Sequence, residues 1–295
     1  EECAWESIVE EFLRANHARK PDNGGDWLPF IAFINDTRGE PWEELRGEMP
    51  PEGVIMGRVG NYFRGEMWPA DPATLTQIIT VDVQATHLVI VRRQWRKGGA
   101  SRLIEAQTLL DFDDLRAYQV AYGVKDRAVW IDCADQNKLV FKACLKHGRW
   151  SGASGAMVWD GWTPLIGDDA AEFSKTVDGI AIKTHHKEAR IDPAVGTSEA
   201  GTKLIPRWSW SNPHYKESLY IYTIAGHGLP WEVYRGIEPD YVKQLQTTER
   251  RQILDAAGRV CKTEFHEKGR HDYGDCELMQ LVVADIAGIT RGRSP

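Results

Sequence analysis

The sequence predicts an α/β fold, a mixed sheet flanked by helices. Three observations predict it. Residues 75–110 carry three β-rich runs joined by short turns. Residues 111–148 then alternate helix, strand and helix, the pattern of a parallel addition to that sheet. Near the C-terminal end, Leu278, Met279, Val282 and Ile286 follow Asp275 at the spacing of one helical face.

In chain order, residues 1–20 read as a helix with Ile8, Val9, Phe12 and Leu13 on its apolar face, broken by "KPDNGGD". "WLPFIAFINDTRGEPWEEL" reads as a second helix ending near "TRGEP", and the Gly- and Pro-rich residues 47–75 as a connector. Residues 1–74 are therefore expected to form a helical and irregular connector, and residues 75–295 one domain. "LTQIITVDVQ", "THLVIVRRQW" and "SRLIEAQTLL" are the three strands of an antiparallel meander, with "KGG" as the second turn. "DFDDLRAYQVAYG" is a helix capped by Asp111 or Asp113, "RAVWIDCA" a fourth strand, "DQNKLVFKACLKHG" a helix, and "GAMVWDGW" a fifth strand. Residues 165–212 read as an irregular insertion. "NPHYKESLYIYTIAGHG", capped by Asn212, and "EPDYVKQLQTTERRQIL" read as helices, and "RVCKTEFHEKG" as a short strand before the last helix. A three-stranded meander, a helix, a parallel strand and a helix is the order of an RNase H-like fold.

The balance of 42% hydrophobic and 27% charged residues is that of a globular chain, and the start is acidic and amphipathic, unlike a signal peptide. No apolar run reaches the roughly 18 residues a membrane helix needs, so no membrane partner is expected. A net charge of −7 excludes a generally basic nucleic-acid coat, so any DNA contact is local. The chain has no GxxxxGK[ST] phosphate loop and hence no ATPase of that type. Five cysteines without a CxxC pair fit free thiols. Cys261, His266, His271 and Cys276 are evenly spaced but lack the closely paired ligands of a zinc site, and Cys133 and Cys276 read better as core fillers.

The acids carry the chemistry. Asp82 lies inside "ITVDVQ" and Asp132 at the end of "VWIDCA". A carboxylate among Val and Ile is costly unless paired, hydrogen-bonded or bound to metal. In an RNase H-like sheet the first and fourth strands are neighbours, and the last helix brings Asp275 to their ends. Three carboxylates at one point repel unless a cation holds them, which hard ions such as Mg²⁺ or Mn²⁺ do. Two such ions about 4 Å apart activate a water and stabilise the leaving oxygen of a phosphodiester. The plainer reading makes Asp275 a helix-start acid and Asp132 a turn former; it fits Asp82 less well, since apolar β-branched residues flank it on both sides, and Asp272 is the better capping residue. Asp135 is a possible fourth ligand, with helix capping its competing role. His271, one turn before Asp275, is an accessory candidate or a structural loop residue.

Four stretches carry a family resemblance. "FIAFINDTRGEPWEE", "ITVDVQ", "VWIDCADQNKLVFKAC" and "GRHDYGDCELMQLVVADIAG" resemble the C-terminal nuclease portion of tailed-phage terminase large subunits, in the lambda-type branch. The likeness spans about residues 5–288 and puts Asp82, Asp132 and Asp275 at the family's three metal-ligand positions. The chain departs from the family pattern with Cys133-Ala134 in place of Ser-Gly, and with Gly274 in place of an apolar residue. The resemblance implies a metal-dependent endonuclease that cuts concatemeric viral DNA during packaging, in the host cytoplasm at the procapsid. It implies as partners double-stranded DNA, an ATPase motor domain, a small terminase subunit and the portal. The alternatives are a non-catalytic docking module of the motor and another RNase H-like nuclease of resolvase or transposase type.

Two basic stretches remain. In "RRQWRKGGASR", Arg92, Arg93, Arg96, Lys97 and Arg102 are expected to contact DNA phosphates and Trp95 to stack, against the alternative of a solvated hairpin tip with Trp95 in the core. In "KTHHKEAR", Lys183, His185 and His186 either approach the scissile phosphate or lie on an exposed loop, the reading preferred.

Overall fold

The computed structural model describes residues 5–18, 20, 28–37, 49, 50, 52–70, 74–152, 158–177, 179–192, 204–220, 230–254 and 260–290. The chain divides into two compact units, Glu1–Gly47 and Glu48–Pro295. In the first, α1 (Trp5–Ala18) is followed by α2 (Leu28–Ala32), which runs on into a π-helical turn, Phe33–Thr37. Phe12 on α1 packs against Phe30 and Phe33, with ring centroids 6.2 and 5.6 Å away. "GEPWEE", residues 39–44 of the first stretch in the family likeness, lies outside the described residues.

The second unit begins earlier than the expected residue 75. Its first elements are α3 (Glu52–Met56) and β1 (Val59–Phe63). Ile55 and Tyr62 are buried, and Tyr62 donates to the carbonyl of Leu103. These apolar anchors draw the Gly- and Pro-rich stretch into the domain.

The meander is as read: β2 (Thr74–Val83), β3 (Leu88–Arg96) and β4 (Ser101–Leu109), each antiparallel to the next. α4 (Phe112–Ala121) follows, with Asp111 capping it through bonds from the N–H groups of Asp113 and Asp114. β5 (Val129–Asp132) pairs parallel with β2, and α5 (Asn137–Lys146) follows it. "GAMVWDGW" is not the fifth sheet strand. It supplies β7 (Val158–Gly161), which among the described residues pairs only with β6 (Gly148–Ser151), while β8 (Thr163–Asp168) takes the place beside β5.

The supposedly irregular insertion is largely β structure. β9 (Phe173–Val177) and β10 (Ile180–Thr184) form a hairpin, and β11 (His186–Ile191) pairs with β12 (Ile205–Ser211), which joins the sheet beside β8. α6 (Asn212–Ser218) is capped by Ser211, whose Oγ accepts from the N–H of His214; Asn212 is already inside the helix. β13 (Trp231–Arg235) joins β1 to β4. The expected helix over 238–254 is only half helix: α7 (Pro239–Leu245) gives way to β14 (Thr248–Leu254), paired along its length with β15 (Val260–Glu267). α8 (Asp272–Ile286) ends the fold.

The large sheet has the order β1-β13-β4-β3-β2-β5-β8-β12-β11. Its centre, an antiparallel meander followed by parallel strands added beside the first, is the RNase H-like arrangement. One face is covered by α4 and α5 over Ile79, Val81, Val129 and Ile131. The other is covered by α8 over Ile78, Val89, Val91 and Trp130. Among the described residues no helix is long and apolar enough to cross a membrane.

Candidate active site

Strand alternation decides where the acids go. Ile79 and Val81 face α4 and α5, so Ile78, Thr80 and Asp82 face α8. On β5, Val129 and Ile131 face the first way, and Trp130 and Asp132 the second. The parallel register pairs Thr80 with Trp130 and Val81 with Ile131, so the next step along both strands sets Asp82 beside Asp132.

Helix α8 is pinned to this face by polar bonds. Thr80 Oγ1 donates to the carbonyl of Cys276 at 2.9 Å. The Gln280 amide nitrogen lies 3.1 Å from the carbonyls of Ile78 and Val91 and from Thr80 Oγ1, while its Oε1 accepts from Trp95 Nε1. These contacts fix the height of the helix on β2 and bring its first turn, with Asp275, to the strand ends.

Asp82, Asp132 and Asp275 line one cavity of about 240 Å³, together with Trp210, Asn212, Lys216, Glu267 and His271. Burial pushes Asp82 up to about 7, with the charge of Asp275 next in size; the hydrogen bond from Gln84 Nε2, at 2.6 Å, opposes them. Burial likewise raises Asp132 to about 6, against the backbone N–H of Ala134. His271 is raised to about 9, chiefly by its hydrogen bond to Asp275, with Nε2 2.9 Å from Oδ2. Glu267 lies 3.2 Å from the same ring nitrogen.

The donor chemistry fits a hard divalent cation. All three acids offer oxygen, all reach one cavity, and two are raised first by burial and then by neighbouring acids. The side chains do not form a closed cage: among the described residues no group of three or more Asp, Glu, His or Cys is gathered closely enough to hold a metal ion.

The accessory candidates divide. Asp135 is exposed beyond the end of β5 and adds to the field on Asp132, but it does not line the cavity, and the residue capping α5 is Gln136. Asp272 is not the cap of α8, a position held by His271; it is buried and bonded to Arg270 and Gln84. Lys183 sits exposed on β10, paired with Glu172 and away from the cavity lining. His185 stacks on His214 at 3.4 Å, and His186 lies 3.6 Å from Asp285. Of the evenly spaced Cys and His residues, Cys276 is buried with its Sγ toward the Val89 carbonyl, and His266 meets Glu264. The side chain of Cys261 lies outside the described residues.

The basic stretch is corrected by the structure. Arg92, Arg93 and Trp95 are core residues, 2%, 0% and 1% exposed. β3 lies mid-sheet with helices on both faces, so neither face of it meets solvent. Arg92 pairs with Glu105, Arg93 with Glu277, and Trp95 with Gln280. Arg96 and Arg102 lie over Trp68, and Arg102 also bonds Glu232. Lys97, at the turn, is exposed. The sequence reading missed Trp210, Asn212, Lys216 and Glu267. They come from β12, α6 and the end of β15, segments whose local patterns carry no sign of the cavity.

A family model described as "Terminase large subunit gpA, endonuclease domain" matches residues 3–156, just over half of the chain. Asp82 and Asp132 fall inside the match and Asp275 beyond it. No curated protein matches. Among solved structures, the chain is similar to one described as "Crystal structure of the HK97 bacteriophage large terminase", with 12% identity and a TM-score of 0.38. The similarity covers 96% of this chain and 51% of that one, so this chain spans about half the length of that protein.

Proposed function

The chain belongs to the terminase large subunit endonuclease family, and from that premise we propose that it is the metal-dependent nuclease that cuts concatemeric viral DNA as genomes are packaged. The observation that carries this reading is the convergence of Asp82, Asp132 and Asp275, from three separate elements, on one cavity.

Asp82, Asp132 and Asp275 would hold Mg²⁺ or Mn²⁺, in the two-ion manner of phosphodiester hydrolysis. When bound, such ions activate water and stabilise charge on the leaving 3′ oxygen. The chain's own residues do the rest. Gln84 orients Asp82, and the Ala134 N–H, 3.4 Å from Oδ2, orients Asp132. His271 restrains Asp275. The clasp of Thr80 and Gln280 keeps the acids from the sheet and the helix in step. Water adds to phosphorus as the bond to the 3′ oxygen breaks, leaving a 5′ phosphate. The DNA duplex, the motor, the small subunit and the portal are the partners this role requires, at the procapsid in the infected cell.

A plasmid-nicking assay with Mg²⁺ or Mn²⁺ tests the reading. Cleavage that needs the cation and is lost in Asp82→Asn is expected. A folded chain that cuts with neither cation would favour the non-catalytic docking role, and cleavage surviving in Asp82→Asn would move the site elsewhere.

A further inference from the structure

The cavity has two unlike walls. Asp82, Asp132 and Asp275 make one. The other comes from the corner where β12 turns into α6, and it presents Trp210, Asn212 and Lys216. That corner sits close over β8 because β8 has glycine there: a Cβ at Gly167 would lie 2.6 Å from Asn212 Oδ1.

Two features of the second wall call for an anionic visitor. Among the described residues lining the cavity, Lys216 is the one with a permanent positive charge. Its ammonium donates to Glu267 Oε1 at 2.6 Å, and its side chain remains 20% exposed. Glu267 takes one of three N–H donors, which leaves donors for a second acceptor. Trp210 is 5% exposed, and its indole N–H meets no acceptor among the described residues. An indole nitrogen only donates, and leaving it buried and unpaired is unfavourable, so an acceptor supplied from outside the chain is favoured there.

A DNA phosphate offers what both groups lack. Its non-bridging oxygens accept hydrogen bonds and carry a charge that three nearby carboxylates would repel. We infer that Lys216, with Trp210 beside it, is a phosphate-contacting residue that holds the DNA backbone against the acid wall; this rests on the nuclease reading above. The ammonium can keep Glu267 while donating to the phosphate, so no rearrangement of β15 is required.

The experiment measures binding of the full chain to a short fluorescent duplex in EDTA across a range of salt, beside cleavage in Mg²⁺ or Mn²⁺. Lys216→Met is expected to weaken binding about tenfold. It should also lower the slope of log affinity against log salt by about one, the signature of one lost phosphate contact. Lys216→Gln, which keeps a polar group if methionine impairs folding, should do the same, and Lys216→Arg should restore the slope. Trp210→Phe should weaken binding about threefold with the slope unchanged, because the lost donor is neutral. If the native chain cuts DNA and the folded neutral variants keep its affinity and slope, the assignment of Lys216 is overturned alone. A native chain that neither binds nor cuts overturns the nuclease reading and this inference with it.

Discussion

Asp82 on β2 and Glu277 on α8 are both buried carboxylates, and the protein treats them in opposite ways. Glu277 is 1% exposed and surrounded by donors. Arg93 Nε lies 2.9 and 2.6 Å from its two oxygens, Trp231 Nε1 3.0 Å and Tyr241 Oη 2.7 Å. Glu105, on the other face of the sheet, is similarly held by Arg64, Arg92 and Tyr118. At the cavity, Asp82 is 7% exposed with Gln84 as its close donor, and its nearest charges are other acids. The same fold thus neutralises some buried carboxylates fully and leaves others short of positive charge. Uncompensated acids in a cleft cost stability, and that shortfall makes this cavity the candidate functional site.

Removing the compensation is the most damaging test of this contrast. Glu277→Gln strands the guanidinium of Arg93 in the core, and denaturant unfolding should show a loss of about 3–5 kcal/mol. Asp82→Asn should do the reverse. Its unfolding midpoint is expected to stay level or rise, while cation-dependent cleavage falls by on the order of a thousandfold, the several kcal/mol a metal site supplies. Mg²⁺ should raise the melting temperature of the native chain and leave that of Asp82→Asn unmoved. A variant that loses stability and keeps cleavage would erase the distinction.

Gln280→Leu tests the clasp between the two regions. It leaves the Trp95 indole without its acceptor, at a cost of about 1–3 kcal/mol, and should reduce cleavage through a displaced Asp275. The smallest effect concerns His214, stacked on His185 and lowered to about 4, first by burial and then by that neighbour's charge. A base depressed on folding resists the proton that the unfolded chain takes up near its ordinary 6.5. Its contribution is therefore level above about 6.5 and is lost as pH falls from there toward 4. Thermal melts from pH 7 to 4 should fall less steeply in His214→Phe than in the native chain.

The sequence displayed the acid wall and concealed the rest, for physical reasons. Asp82 stands out because alternation puts it on the same face as Ile78 and Thr80, and Asp132 follows from Trp130 in the same way. The spacing of Leu278, Met279 and Val282 marked α8 as a helix on the core but suggested a single buried face, whereas every residue from Cys276 to Ala284 is buried. Arg92 and Arg93 misled because their counter-charges are remote in sequence: Glu105 lies on the next strand, and Glu277 lies 184 residues from Arg93. A basic run beside a glycine turn looks solvated until the partners are known. "TTERRQIL" looked helical because its charges suit an exposed helix face, yet cross-strand pairing with β15 makes it β14. Lys216 and Trp210 gave no signal, since only tertiary packing brings β12 and α6 to the cavity.

The in-step pairing of β2 and β5 has a consequence for how this site tolerates change. Replacing Val81 or Ile131 with another apolar residue alters packing and leaves the acids where they are. Adding or deleting one residue before Asp82 within β2 turns its carboxylate to the face covered by α4 and α5. Chain length in these two strands is thus under tighter constraint than residue identity. A library of single insertions across 78–82 and 129–132 should silence the nuclease at nearly every position, while conservative substitutions at the apolar positions between the acids leave it active.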